Sequence, residues 1–282
     1  MATAATIRSG MAEAAFGIEA AARAHKLGFV PVVTEHYYLA CRRNTPARIA
    51  VDTMAASPLR LPSLPTCSRM QLFLTPTSPF ARVVLVTALE CRLADLRLCW
   101  TDPWRSPADL VRANPFCTVP TLVTRQDGAV WDSSVICDYL LSQCAPSAPL
   151  RTAADDAARL RRYAAARMLM DVAVRKTVLE RHRGESDQAA GVRIGRATDA
   201  LARALRQVEP GVAAEPLAGG RADMADLTLA VALEYVRFRH GALYGAEVGA
   251  ALAAWLESWS PRPTLVLTTP AALAARPAYD NL

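Results

Sequence analysis

The sequence predicts a small α/β domain followed by an all-helical domain, with a partial α/β extension ahead of both. Three observations carry this reading. Between residues 70 and 149, runs of period-two hydrophobicity alternate with helical runs in the order βαβ, then a hairpin, then a helix. The stretch "APSAPL" at 145–150 interrupts that pattern with prolines and marks a boundary. Beyond it, no strand pattern of any length occurs between 151 and 260, and Ala-, Leu- and Arg-rich helical patterns take over.

Each element has a local reason. "MQLFLT" alternates Met70, Leu72 and Leu74 against Gln71 and Phe73, a strand period. "SPFARVVLVTALE" follows, with Pro79 suited to a first helical turn. "ADLRLCW" alternates through Leu96, Leu98 and Trp100. "VPTLVTRQDGAVWD" gives two short strands around Asp127-Gly128, a hairpin signal. In "SSVICDYLLSQC", Val135, Ile136, Tyr139 and Leu140 share one helical face. In the helical half, 152–183 and 187–208 read as long helices and "PGVAAEPLAGG" as a loop. "DMADLTLAVALEYVRFRH" reads as an apolar helix, and "AEVGAALAAWLESWS" as one more. In the extension, "MAEAAFGIEAAARAHKLG" reads as an Ala-rich helix ended by Gly28, and "FVPVVTEHYYLACRR" as two strands flanking a polar "TEH". "TPARIAVDTMAASP" reads as a further helix and "LPSLPTCS" as a linker.

Composition excludes several classes. With 52% hydrophobic and 21% charged residues, the chain has the makings of a packed core. No apolar run reaches the roughly 18 residues that span a bilayer, no basic region heads an apolar core as in a secretory signal, and Glu13, Glu19 and Glu35 argue against a transit peptide. A soluble, cytoplasmic protein is expected. Net charge is +6, but residues 1–69 hold eight Lys/Arg against four Asp/Glu, while 70–282 hold 24 against 22. The excess is not clustered as nucleic-acid binding requires, and Arg42-Arg43 and Arg161-Arg162 read as solvated surface. The seven cysteines include no CxxC and no histidine at ligand spacing, so neither a disulfide framework nor a zinc site is expected; idle thiols are.

Three motifs carry chemistry. "TPTSPFAR" (75–82) sets the hydroxyls of Thr75, Thr77 and Ser78 where a strand turns into a helix. Free N–H groups and the helix dipole favour anions there, a thiolate included, and a hydroxyl donating to a bound thiolate lowers its pKa. A plain N-cap is the competing reading. In "NPFCTVPTL" (114–122), Val119-Pro120 precedes a strand; a cis bond would turn the backbone so that Val119 offers its N–H and C=O to a peptide-like ligand, whereas a trans proline at a strand's first residue is the ordinary case. In "WDSSVICDYL" (131–140), Asp132, Ser133 and Ser134 precede an apolar helix whose N-terminus suits a carboxylate, with Asp132 available to an ammonium group.

In that order, over a βαβ–ββα pattern, these motifs resemble the glutathione transferase family. Residues 70–149 resemble its thioredoxin-like, glutathione-binding domain, and 152–282 its all-helical bundle domain, with the "TSPF" turn most similar to bacterial members of serine type. The resemblance implies that Ser78 or Thr77 activates the glutathione thiol, with Ser78 preferred. It further implies that Val119 bonds the cysteinyl backbone with Pro120 cis, and that Asp132 and Ser133 hold the γ-glutamyl end. "ADMADLTLAV" resembles the family's capping box, with Asp223 as N-cap and Asp226 as its reciprocal partner, both structural. Glutathione is implied as co-substrate, a hydrophobic electrophile as second substrate, detoxification as role, a homodimer as assembly, and no metal, nucleic acid or membrane as partner. Tyr163, Met168, Met170, Tyr235, Phe238 and His240 are the candidates for the electrophile's site. Two alternatives stand beside this: a non-catalytic glutathione-binding or protein-interaction module, and a glutathione-dependent reductase.

The sequence departs from the family pattern at Cys117-Thr118, where Gly-Lys is usual. Loss of that lysine removes a charge-assisted contact worth about 1.5–3 kcal/mol. Cysteine is absent at 77 and 78, which disfavours thiol-transfer chemistry. Residues 1–66 resemble a fragment of a periplasmic-binding-protein-like domain: "GMAEAAFGIEAAARAHKLGFVPV" is similar to one lobe's helix and strand and "EHYYLACRR" to its returning strand. Such a fragment lacks the partner lobe of a ligand cleft. It is expected to be a remnant joined ahead of a transferase that begins near Met70, or else a docking extension.

Overall fold

The structure, a computed structural model, describes residues 14–17, 28–31, 38–41, 69–125, 128–144, 150, 152, 155–184, 187–214 and 222–282. The chain divides into two units, Met1–Ser63 and Leu64–Leu282.

In the first unit, β1 (Ala14–Gly17), β2 (Gly28–Pro31) and β3 (Tyr38–Cys41) form an antiparallel sheet in the order β1-β3-β2. The two expected strands are β2 and β3. The expected Ala-rich helix is overturned at "AAFG", where Ala14 pairs with Cys41 and Gly17 with Tyr38. Alanine's helix preference is worth only tenths of a kcal/mol per residue, and the second edge of β3 satisfies the backbone of these residues instead. Gly28 opens a strand rather than ending a helix. The remainder of that span, "TPARIAVDTMAASP" and Arg42-Arg43 lie outside the described residues.

The second unit opens with β4 (Met70–Leu74), α1 (Pro79–Glu90) and β5 (Leu96–Trp100), then a short 3-10 turn (Pro103–Arg105) and α2 (Ala108–Ala113), and then β6 (Thr121–Val123), β7 (Ala129–Trp131) and α3 (Ser133–Ser142). The sheet order is β5-β4-β6-β7, with β4 parallel to β5 and antiparallel to β6, and β6 antiparallel to β7. Alternation decides the layers. Leu72, Leu74 and Leu122 pack with Val84, Leu85, Ile136 and Leu140 of α1 and α3. Phe73 and Val123, on the opposite face, pack with Leu110 and Ala113 of α2. The fold is thus a thioredoxin-like mixed sheet with helices on both faces.

The helical part comprises α4 (Ala157–His182), α5 (Gln188–Ala214), α6 (Met224–Arg239), α7 (Gly241–Glu247), α8 (Ala250–Trp259), α9 (Pro263–Leu267) and α10 (Pro270–Leu273), then a closing 3-10 turn (Tyr279–Asn281). The expected loop from Pro210 begins later: α5 continues through Pro210 to Ala214, because Val212 is buried and Arg162 Nη2 donates to the Gly211 carbonyl at 2.8 Å. The single helix expected over "AEVGAALAAWLESWS" is interrupted before Ala250, where Gly249 is the N-cap of α8. Arg162 is not solvated surface. It is buried and bonds Asp226 Oδ1 at 2.8 Å.

Polar side chains join the 70–144 part to the helical part. Arg262 makes a two-pronged pair with Glu90, 2.6 Å on each prong. Trp100 Nε1 donates to the Pro277 carbonyl at 3.1 Å. Arg82, buried on α1, pairs with Glu234 of α6 and donates to the Leu265 carbonyl at 2.9 Å. The expectation of idle thiols fails at one pair: Cys91 and Cys144 form a disulfide, while Cys117 and Cys137 remain thiols. The pairing is set by tertiary contact between helix ends 53 residues apart, which spacing in the sequence does not reveal. Among the described residues no helix is long and apolar enough to cross a membrane.

Candidate functional site

Sheet register brings the three motifs together. Phe73 of β4 lies opposite Thr121 of β6, and Thr121 opposite Trp131 of β7, so these residues form one row. Because β6 runs against both neighbours, the end of β4, the start of β6 and the end of β7 meet at one edge of the sheet. From that edge emerge the 75–78 turn, the Val119-Pro120 pair, and Asp132 with Ser133.

At the first of these, Ser78 is the N-cap of α1, and its Oγ accepts from the Ala81 amide at 3.2 Å. The cap reading therefore holds. It does not consume the hydroxyl's own hydrogen, which remains able to donate. Thr77 is exposed and Ser78 half-buried. Both line a small cleft with Pro76, Arg82, Glu234 and Tyr235. Burial pulls the Arg82 guanidinium below its usual pKa, against the opposing effect of Glu234.

The Val119–Pro120 bond is cis. Pro120 is buried and Val119 packs beside the Phe73–Val123 cluster. The loop before it is organised by Asn114, to which the sequence pattern assigns no role. Its fully buried amide donates to Thr118 Oγ1 at 3.0 Å and Thr121 Oγ1 at 2.9 Å, and its Oδ1 accepts from the Phe116 amide at 3.0 Å. Cys117 has φ 50°, a left-handed conformation that explains why glycine suits this position in the family pattern. Its Sγ donates to the Pro103 carbonyl at 3.4 Å.

Asp132, at φ 71°, is the N-cap of α3. Oδ1 accepts from the Ser134 amide at 2.9 Å and the Val135 amide at 3.4 Å, and from the Ser134 hydroxyl. Partial burial works against ionisation here, but the Ser134 and Val135 bonds, with Arg167 nearby, hold the carboxyl below its usual range. Arg167 of α4 reaches to 3.7 Å from Oδ1, a neighbour the sequence did not point to. Ser133 is the first helical residue, where an N–H is free for an anion.

The candidates for an electrophile's site separate. Tyr235 lines the cleft beside Ser78. Met170 is core, whereas Met168 and Phe238 are exposed. Burial raises the Tyr163 hydroxyl to about 12. His240 is buried away from catalytic use: Nε2 lies 3.0 Å from the Ala173 carbonyl and 3.2 Å from Thr177 Oγ1, and Nδ1 3.5 Å from Lys176 Nζ. Asp223 caps α6, accepting from the Ala225 amide at 2.8 Å. The Asp226 amide also donates to Asp223 Oδ1 at 3.1 Å, while the Asp226 carboxylate is held by Arg159 and Arg162. Among the described residues, no group of three His, Cys, Asp or Glu is placed to hold a metal ion.

Comparisons with known proteins agree with this fold. Residues 77–143 match the family model described as glutathione S-transferase, N-terminal domain, and 178–258 that of the C-terminal domain. Residues 1–56 match a model of the PBP superfamily domain. No curated protein matches the chain. A glutathione transferase family member from Pseudomonas fluorescens Pf-5, solved with bound glutathione, is 30% identical over 71% of this chain and 98% of its own, with a TM-score of 0.65. A glutathione S-transferase from Methylobacillus flagellatus KT, solved with glutathione bound, is 24% identical over 71% and 99%, TM-score 0.63. One from Methylobacterium radiotolerans, in complex with glutathione sulfonate, is 22% identical over 72% and 95%, TM-score 0.64. The last two share the fold. With both domains matched and a 30% identical relative aligned over most of its length, the chain belongs to the glutathione S-transferase family.

Proposed function

We propose that the protein is a glutathione transferase that activates the glutathione thiol at Ser78 and adds it to a hydrophobic electrophile. The observation that carries this is the convergence of the 75–78 turn, Val119 and Asp132-Ser133 at one edge of the sheet. In this reading Val119 pairs with the peptide backbone of glutathione, Ser133 and the α3 N-terminus hold the γ-glutamyl carboxylate, and Asp132 takes the ammonium group. Ser78 donates to the sulfur, and the α1 N-terminus adds its dipole, so the thiolate is favoured and attacks the electrophile. Thr77 is the second candidate for that donation. Tyr235 contributes one wall of the electrophile's site. A role in detoxification, a homodimeric assembly, a cytoplasmic setting and independence from metal ions complete the proposal.

A second reading, a glutathione-binding module without turnover, is favoured by one observation. Thr118 stands where the family pattern has lysine, and its side chain is held by Asn114. Binding to immobilised glutathione, together with conjugation of a chlorodinitrobenzene-type electrophile by the unaltered protein and by Ser78→Ala and Thr77→Ala, separates the two. Binding with turnover that falls in Ser78→Ala supports the transferase. Binding without turnover supports the module.

A further inference from the structure

The Cys91–Cys144 disulfide has a particular place in the fold. Cys91 is the C-cap of α1, and Cys144 lies just past the C-cap of α3, Gln143. The other ends of the same two helices hold Ser78 and Asp132, about 18 Å away for a helix of α1's length. One covalent bond thus fixes, from behind, the relative position of the two helices that present the candidate glutathione contacts. We propose that this disulfide is a thiol–disulfide exchange site for glutathione-class thiols, and that its state sets the stability of the sheet domain and its hold on glutathione. The exchange itself is independent of the function proposed above; the effect on glutathione binding rests on that function.

Both sulfurs belong to half-buried residues. Cys91 packs against the hydrophobic core, so the attack is assigned to Cys144. A glutathione thiolate attacks Cys144 Sγ, forming one S–S bond to Cys144 and breaking the Cys91–Cys144 bond. The electron pair of the broken bond leaves on Cys91, which takes a proton from water. A second glutathione thiolate then attacks the sulfur of the first, releasing oxidised glutathione and leaving two protein thiols. Two glutathiones are oxidised by two electrons and one protein disulfide is reduced. Free Cys137, the described thiol on α3, is buried beside Thr87 and cannot serve as an internal nucleophile, since burial raises it to about 12. Both exchanging sulfurs sit at helix C-termini, where the dipole disfavours a thiolate. A poor leaving group slows exchange. The pair therefore responds over minutes to hours, unlike a catalytic dithiol at a helix N-terminus.

The test uses the full-length chain purified without reductant. Intact mass and peptide mapping after blocking of free thiols follow its exposure to millimolar glutathione. The expected course is an oxidised pair, a mixed disulfide on Cys144, then two thiols. Reduction by a phosphine should lower Tm by roughly 5–10 °C and weaken binding of S-hexylglutathione, which carries no free thiol, several-fold. Cys91→Ser and Cys144→Ser should match the reduced form and no longer respond to reductant. Free thiols at both positions in the untreated protein, or equal Tm and affinity before and after reduction, would overturn the proposal. If exchange and the Tm shift occur while neither state binds S-hexylglutathione, the coupling to the site fails together with the proposed function, and the exchange site stands.

Discussion

Ser78 combines two hydrogen bonds of different direction. Its oxygen accepts from the Ala81 amide at 3.2 Å, and in the proposed function its hydrogen donates to the glutathione sulfur. Replacing it with alanine removes both. The cap contributes about 1 kcal/mol to stability. A hydrogen bond to a charged acceptor contributes about 1.5–3 kcal/mol, which corresponds to a fall of roughly 10- to 150-fold in kcat/KM. The expected outcome for Ser78→Ala is that fall, a small drop in Tm, and a pH–rate profile displaced to higher pH as the bound thiol regains its ordinary pKa. Steady-state kinetics between pH 6 and 9 check it. Thr77→Ala, at an exposed position, should stay near the unaltered rate. The reverse pattern would move the role to Thr77. These residues were visible in the sequence because caps and turn hydroxyls have local signatures. Asn114 and Arg167 were not, because what distinguishes them is where their ends reach: one into Thr118 and Thr121, the other across to Asp132.

Elements obey a similar division. β4, α1, β5, the hairpin, α3 and α6 are long or strongly patterned, and the sequence placed them. α2 has too few residues to show a period, although Leu110 and Ala113 cover one sheet face. β1 and the end of α5 follow from neighbours that override local propensity. The contact between α4 and α6 illustrates a polar core that pattern reading cannot see. Arg159 and Arg162 of α4 hold Asp226, and Arg159 also holds Asp223, all buried. Asp226→Ala should lower stability by about 3–5 kcal/mol, since it removes the buried carboxylate that Arg159 and Arg162 share. Denaturant titration measures this, with Arg161→Ala, on the exposed side of α4, changing little. The same helix pair encloses His240. Burial lowers its pKa below 6.5, with Lys176 acting in the same direction and the Ala173 bond and Glu180 opposing. The unfolded chain therefore takes up the proton first. The neutral ring's contribution is complete above about pH 6.5 and declines as pH falls toward the folded-state value. Stability measured from pH 7.5 to 5 should drop on the acid side, and His240→Gln should flatten that limb; an unchanged slope would remove His240 from the account.

At the scale of the whole molecule, the first unit and the proposed activity are separable in composition as well as in fold. Every residue named at the site lies within Leu64–Leu282, as do the ties between sheet and helices through Arg82, Glu90 and Trp100. The family models for the transferase cover 77–143 and 178–258, whereas 1–56 matches a PBP superfamily domain. A unit of 64–282 is within the size range that buries a sufficient core of its own. The remnant reading of residues 1–66 then has a definite consequence. A chain of 64–282 should unfold cooperatively with a Tm within a few degrees of the full-length protein, bind glutathione with affinity within about twofold, and keep its conjugation rate. If the first unit is instead a docking extension that the transferase needs, the shortened chain will aggregate or lose glutathione binding. A loss of Tm with affinity retained would assign it a stabilising role alone. Thermal melting and a glutathione titration on the two proteins distinguish these outcomes, because the first reports on the shared fold and the second on the proposed glutathione site at the sheet edge from which Ser78, Val119 and Asp132 emerge.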